Sequence, residues 1–419
     1  MAPARVPAQR IGLLVYGLGG PGLGQRAALA QILSSLPAAV LDRFDIAAVE
    51  PLGVGPDGDT AGLTCPAGDL ETWLGVDLSA STPAARAAVH AAARNLVASC
   101  ASTREAVVRE TNTVAAADAI EVVRREFGGP LTYVGTSYDT LTGYTYAQRH
   151  PEHLRALVLD SGLDPAMTGA EMLHARAAAI EGAFNRFAAA CRAQRCFNEL
   201  AAADVVRRLR DSAPAVTTAA QAGWSRRRLD EALLSGLADE RNGWADLRNG
   251  LRAALQGNPD LLQQVARSYQ ARNAEGKATS QPVQAAAYLC TDRTWPRTPV
   301  ALDALADEVA ASAPVLGRAV VYGAAICTTW PVSERALPLP VPTRRPPVLV
   351  FAVDRDPVTP PSWSRRLAAT FRPPAPVVTM PGGWHTALPN RRNACAITAA
   401  ERFLLEPTSV TRSTTCPAR

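Results

Sequence analysis

Lysine is nearly missing from this 419-residue chain: of 43 basic residues only Lys277 is not an arginine. No Gly-Lys-Ser/Thr occurs, which excludes the phosphate-cradling turn of nucleotide hydrolases. No run of about 18 apolar residues is present, so no membrane-spanning helix is predicted. The net charge of +5 is spread without a concentrated basic run, and aromatics make up only 5% of residues. Nucleic-acid binding therefore has no footprint here. The eight cysteines form no Cys-x-x-Cys pair and no histidines cluster beside them, so no metal site is read. No cofactor is expected. With five histidines in all, any chemistry that needs an imidazole has few places to put it.

Against these absences stands one local pattern. The apolar run Leu131 to Val134 is followed by Gly135-Thr136-Ser137-Tyr138-Asp139 and then by a helix-like stretch to Arg149. A serine at a sharp strand-to-helix corner holds its hydroxyl clear of the backbone, the geometry of a nucleophile elbow. Such a hydroxyl needs a histidine to take its proton and a carboxylate to orient that histidine. On this architecture the acid and then the base follow late strands. Pro347 to Val353 reads as a buried parallel strand leading into Asp354-Arg355-Asp356-Pro357, which makes Asp356 the candidate acid ahead of Asp354 and Asp160. Pro376 to Met380 reads as the next strand, leading into Gly382-Gly383-Trp384-His385. Elimination agrees with His385 as base. His90 and His174 lie in Ala-rich helical stretches, while His150 and His153 close the helix launched by Ser137, roughly 18 Å from its hydroxyl at 1.5 Å per residue.

Acyl chemistry also needs N–H groups aimed at the charge developing on the substrate carbonyl. The strand Ile11 to Tyr16 runs into Gly17-Leu18-Gly19-Gly20-Pro21-Gly22-Leu23-Gly24, where glycines permit close backbone approach. A phosphate-binding turn is the rival reading of that loop. As an oxyanion hole, it pairs the N–H of Gly20, or of Gly19, with that of Tyr138.

Strand and helix alternate from Gln25 to Leu159, with helices read at 25–36, 82–98 and 113–127 and a strand at 44–49. This alternation predicts an α/β fold with a mostly parallel sheet covered by helices on both faces. From Pro165 to Leu339 an Ala/Arg/Leu periodicity replaces it without convincing strands. The expected division is a core at 1–164, a helical lid at 165–339 and the rest of the core at 340–419, with the Pro-rich run Pro338 to Pro347 as a stiff return linker.

These motifs resemble the tripeptidyl aminopeptidase and prolyl aminopeptidase family of α/β-hydrolases, in its actinobacterial branch with a TAP-like C-terminal region. The matching stretches are Gly19-Gly20-Pro21-Gly22, Gly135-Thr136-Ser137-Tyr138, Val158-Leu159-Asp160 with Asp164-Pro165, Cys327-Thr328-Thr329-Trp330-Pro331, Asp356-Pro357-Val358-Thr359-Pro360, Gly383-Trp384-His385-Thr386 and the segment from Cys395 to Cys416. The resemblance implies a serine hydrolase that releases residues or short peptides from substrate N-termini. A carboxylesterase is the alternative, and a catalytically weak binding protein on the same fold is a third reading. The implied partner is a peptide or ester substrate; oligomeric state is not legible. The family also implies lid carboxylates that hold the substrate's amine. Candidates are Glu171, Glu181, Asp230 and Glu231, with Trp384 and Trp224, Trp244, Trp295 and Trp330 as possible pocket walls.

Two departures stand out. The family's elbow is Gly-x-Ser-x-Gly, whereas Asp139 occupies the last position. Its charge is expected to favour protonated His385, lowering activity or moving the optimum to higher pH. The strands that normally precede the oxyanion strand are also missing, which predicts an uncovered edge near Phe44 to Val49.

Eight cysteines permit about a hundred pairings. Their order and the resemblance together suggest Cys65 with Cys100, Cys191 with Cys196, Cys290 with Cys327 and Cys395 with Cys416. Disulfides imply a secreted or extracytoplasmic setting, although Met1 to Arg10 has no apolar signal region.

Overall fold

The computed structural model describes residues 1–55, 62–214, 224–267, 269, 271–273, 275–332, 337, 346–389 and 393–418. Apolar runs with almost no polar interruption belong in strands covered on both faces, and they become a parallel sheet of seven strands. In chain order these are β1 (Gly12–Gly17), β2 (Phe44–Ala47), β3 (Leu131–Thr136), β4 (Leu154–Asp160), β5 (Val348–Val353), β6 (Val377–Met380) and β7 (Thr414–Thr415). Their order across the sheet is β2-β1-β3-β4-β5-β6-β7. Only the short β7 was not read from the sequence.

Alternation along each strand divides the core. Leu14, Tyr16, Val134, Val158, Leu349 and Phe351 face the helix Ala394–Leu405 through Phe403. Leu13, Val15, Tyr133, Leu157 and Val350 face the other side, against Ile120, Tyr144 and Leu367. The chain is an α/β-hydrolase fold: β3 turns directly into the helix Asp139–Arg149, and β5 and β6 deliver loops at the same edge of the sheet.

The expectation of an open edge is corrected. β2 is the outermost strand, but Ala2 bridges Ile46 in antiparallel sense, with N–H to O distances of 2.8 and 2.7 Å. Ala4 N–H and Arg10 Nε both bond Asp45, so the first residues fold over that edge.

Between β4 and β5 the described residues form only helices, from Gly169–Ala193 to Gly317–Tyr322, plus isolated bridges. Their apolar cluster, with Phe184, Phe187, Leu229, Leu233, Leu247 and Leu302, continues through Trp73 and Leu96 to Tyr138 at the elbow. Residues 338–345 of the Pro-rich run, and with them the expected boundary at 339/340, lie outside the described residues.

Cys65–Cys100, Cys290–Cys327 and Cys395–Cys416 are bridged. Closing loops of this size constrains the unfolded chain by about 3–4 kcal/mol each. The expected Cys191–Cys196 bond is not formed; both are buried thiols. The Cys196 N–H instead caps the Cys191 carbonyl at 2.9 Å where the helix ends, and the thiols lie in hydrogen-bond contact. Burial pushes the Cys191 thiol up to about 12.

Candidate active site

The corner after β3 carries Ser137 at φ +53, a left-handed conformation that a serine adopts at a cost. The surroundings hold it there: Ser137 N–H donates to the Asp160 carbonyl at 2.8 Å, and its own carbonyl accepts the Thr140 hydroxyl at 2.6 Å. Ser137 Oγ lies 2.9 Å from His385 Nε2. His385 Nδ1 lies 2.9 Å from Asp356 Oδ2 and 3.1 Å from Oδ1. Asp356 is fully enclosed, and its oxygens also accept the N–H groups of Val358 and Thr359 and the Thr359 hydroxyl. Three elements distant in sequence thus converge on one hydrogen-bonded line.

The other two candidate acids brace the histidine loop. Asp354 accepts the Gly382 N–H at 2.7 Å. Asp160, buried at the end of β4, accepts the N–H groups of Ala387 and Leu388 at 2.8–2.9 Å, and burial above all lifts its carboxyl to about 6.

Of the oxyanion candidates, Gly20 and Tyr138 remain and Gly19 does not. The Gly19 N–H donates to Asp139 Oδ2 at 2.9 Å, which removes it as a donor to substrate. Tyr138 is pinned from its far end, its hydroxyl bonded to Asp292 and Thr113. Asp139 itself makes no hydrogen bond to Ser137 or His385. Its carboxylate turns toward β1, where it accepts Gly19 N–H and the Thr142 hydroxyl, and burial raises its pKa. Its hydrogen bonds therefore run to the glycine loop and to its own helix. Gly20, Tyr138, Asp139, Ile120 and Tyr288 line a largely apolar cavity beside the elbow.

None of the four expected amine anchors is free. Glu171 closes a capping box with Thr168 at an exposed helix start. Glu181 is buried and accepts the Val315 N–H. Asp230 binds Ser79 and Arg210, and Glu231 binds Arg227 and Arg228. Trp295 and Trp330 place their indole N–H groups on Leu289 and Thr291, Trp244 packs edge-on against Phe187, and Trp224 packs on the helical cluster. Trp384 is buried within the histidine loop.

Sequence reasoning missed what touches that loop from the helical segment. His385 N–H donates to the Ala238 carbonyl at 3.2 Å, Glu240 N–H donates to the Gly383 carbonyl at 2.8 Å, and the Arg241 guanidinium lies 4.9 Å from the Trp384 ring centroid. The Glu240 carboxylate fills the space beside Gly383, where an added Cβ would meet it at 1.9 Å. No local motif announces a contact between segments so far apart. Thr359, within 3.3 Å of His385 Nδ1, was legible as part of Asp-Pro-Val-Thr.

The other histidines sit elsewhere: His90 on Asp303, His150 on Asp118, His153 beside Glu121 and His174 beside Glu308. Glu121, His150 and His153 are close enough to suggest a metal site. Glu121 is already bound by Arg124, Arg125 and Tyr146, which hold it far below the usual carboxylate range.

A serine, histidine and buried carboxylate in line at the edge of this sheet define an α/β-hydrolase. Comparison with known proteins agrees: residues 313–416 match the family described as TAP-like protein. The chain is 29% identical to carboxylesterase B of Mycobacterium tuberculosis, over 99% of this chain and 82% of that protein. It is 27% identical to serine protease Hip1 of the same species, over 93% and 78%, and 24% identical to tripeptidyl aminopeptidase of Streptomyces lividans, over 97% and 77%. The resemblance read from the motifs is upheld: the chain is a hydrolase-fold protein with a TAP-like C-terminal region.

Proposed function

We propose that the protein is a serine hydrolase working through an acyl-enzyme, and that its substrates are peptides cleaved near their N-termini. The observation that carries the mechanism is the unbroken line Ser137 Oγ, His385 Nε2, His385 Nδ1, Asp356 Oδ2, each link 2.9 Å. Ser137 attacks the carbonyl as its proton passes to Nε2, and Asp356 holds the imidazolium that results. The N–H groups of Gly20 and Tyr138 receive the oxyanion. Collapse expels the amine, which takes the proton from Nε2; water then repeats the sequence to release the acid.

A second reading, carboxylesterase, is favoured by one observation: Glu171, Glu181, Asp230 and Glu231 are all engaged within the protein, and an esterase needs no amine anchor. Matched peptide substrates with free and acetylated N-termini, run beside short-chain esters, decide between them. Preference for the free amine supports the exopeptidase. Ester turnover with indifference to acetylation supports the esterase. The bridged cysteines suit an extracytoplasmic setting in either case.

A further inference from the structure

The oxyanion loop has an unusual weakness. Gly19 and Gly20 are consecutive, with φ of +84 and +72, and neither has a side chain to restrict it. Backbone of this kind samples the most conformations of any in the chain, yet the Gly20 N–H must point at a fixed place. The loop is tied down by Leu18 N–H to Gln25 Oε1, by the Thr136 hydroxyl to the Leu18 carbonyl, and by Gly19 N–H to Asp139 Oδ2. The last bond holds Gly19 by its N–H, and the Gly20 carbonyl accepts the Leu23 N–H at 3.0 Å, so Asp139 provides the side-chain hold on the glycine pair.

Two further features show that this bond is built in. Gly17, the last residue of β1, is not among the glycines with positive φ, so conformation does not explain it. A Cβ there would lie 2.6 Å from Asp139 Cγ and 2.7 Å from Oδ2, so the missing side chain is the space that the carboxylate fills. The second oxygen of Asp139 is held by the Thr142 hydroxyl one turn along the same helix, at 3.1 Å. Among the described residues no cation pairs with Asp139, although it is only 8% exposed. A carboxyl buried without a counter-ion is costly, and its contacts are those of a brace.

We propose that Asp139, at the elbow position where the motif of similar enzymes has glycine, is a positioning residue: by holding Gly19 N–H it keeps the neighbouring Gly20 N–H aligned with that of Tyr138 for the oxyanion. This rests on the serine-hydrolase reading above. It predicts that the brace acts on the transition state and not on substrate binding, because the ground-state carbonyl places little charge in the hole.

The test compares wild type, Asp139→Ala and Asp139→Asn by kcat, KM and rate of fluorophosphonate labelling on folded protein. Asp139→Ala is expected to lose about 10- to 100-fold in both kcat and labelling rate, with KM unchanged within about threefold, as for a misaligned oxyanion donor. Asp139→Asn retains an oxygen for Gly19 N–H and is expected to recover to within about fivefold of wild type. Equal kcat in wild type and Asp139→Ala overturns the proposal, as does a loss that Asn fails to recover. Should Asp139→Ala not fold, Thr142→Val decides: a several-fold fall in kcat at constant KM upholds the brace, and wild-type kcat overturns it. Absence of labelling in wild type itself defeats the hydrolase reading, whereas equal labelling of wild type and Asp139→Ala defeats only the role given to Asp139.

Discussion

The sheet edge and the helical segment between β4 and β5 use buried carboxylates for different purposes. At the edge, acids accept hydrogen bonds from backbone N–H groups in loops: Asp356 from Val358 and Thr359, Asp354 from Gly382, Asp160 from Ala387 and Leu388, Asp139 from Gly19. In the helical segment, buried acids pair with arginines on the same or a neighbouring helix, as Glu231 does with Arg227 and Arg228 and Asp230 with Arg210. The first arrangement shapes loops around a reacting serine. The second holds helices together and engages those acids within the protein.

The comparison breaks most visibly at the edge. Ser137→Ala should lower kcat by about a million-fold and Asp356→Asn by about ten-thousand-fold, each leaving the thermal midpoint close to wild type, measured by turnover beside calorimetry. Comparable turnover in either variant would remove the edge from the chemistry.

In the helical segment, Glu231→Ala leaves Arg227 and Arg228 buried without their carboxylate. The expected cost is about 3–5 kcal/mol by denaturant titration, with kcat per folded molecule unchanged within about threefold. A large loss of kcat without a loss of stability would make Glu231 a substrate ligand after all.

Asp160 sharpens the contrast through pH. Burial raises its carboxyl from 3.8 to about 6, so the folded state prefers the protonated acid. The sign follows: its contribution to stability is complete below pH 3.8 and is lost as pH rises to about 6, amounting to roughly 3 kcal/mol at 1.36 kcal/mol per unit. Asp160→Asn should remove that slope, so that the difference in melting temperature shifts in favour of the variant between pH 4 and pH 7. Parallel melting curves over this range would contradict the assignment. The smallest effect belongs to Glu171→Ala at the exposed capping box, about 0.5–1 kcal/mol of stability and no change in kcat.

Much of the site was legible because elbow, acid and base each follow a strand within a few residues, so a local pattern carries the whole placement. Ser137, Asp356 and His385 needed only strand order to be brought together. What escaped was set by contacts between distant segments. The direction of the Asp139 side chain depends on Gly17 leaving room for it, a fact of packing that no spacing rule contains. The hold of Ala238 and Glu240 on the histidine loop depends on how the helices dock. Glu171, Glu181, Asp230 and Glu231 were expected near the substrate because the family resemblance implies lid carboxylates, and the sequence does not say which arginine or N–H group each acid will meet.

The account stands on an activated Ser137. Fluorophosphonate labelling of wild type beside Ser137→Ala, with the adduct located by mass spectrometry, tests it most directly. The account predicts a single adduct on Ser137 in wild type and none in the variant. Folded wild type that takes no label, or label that persists in Ser137→Ala, would contradict it.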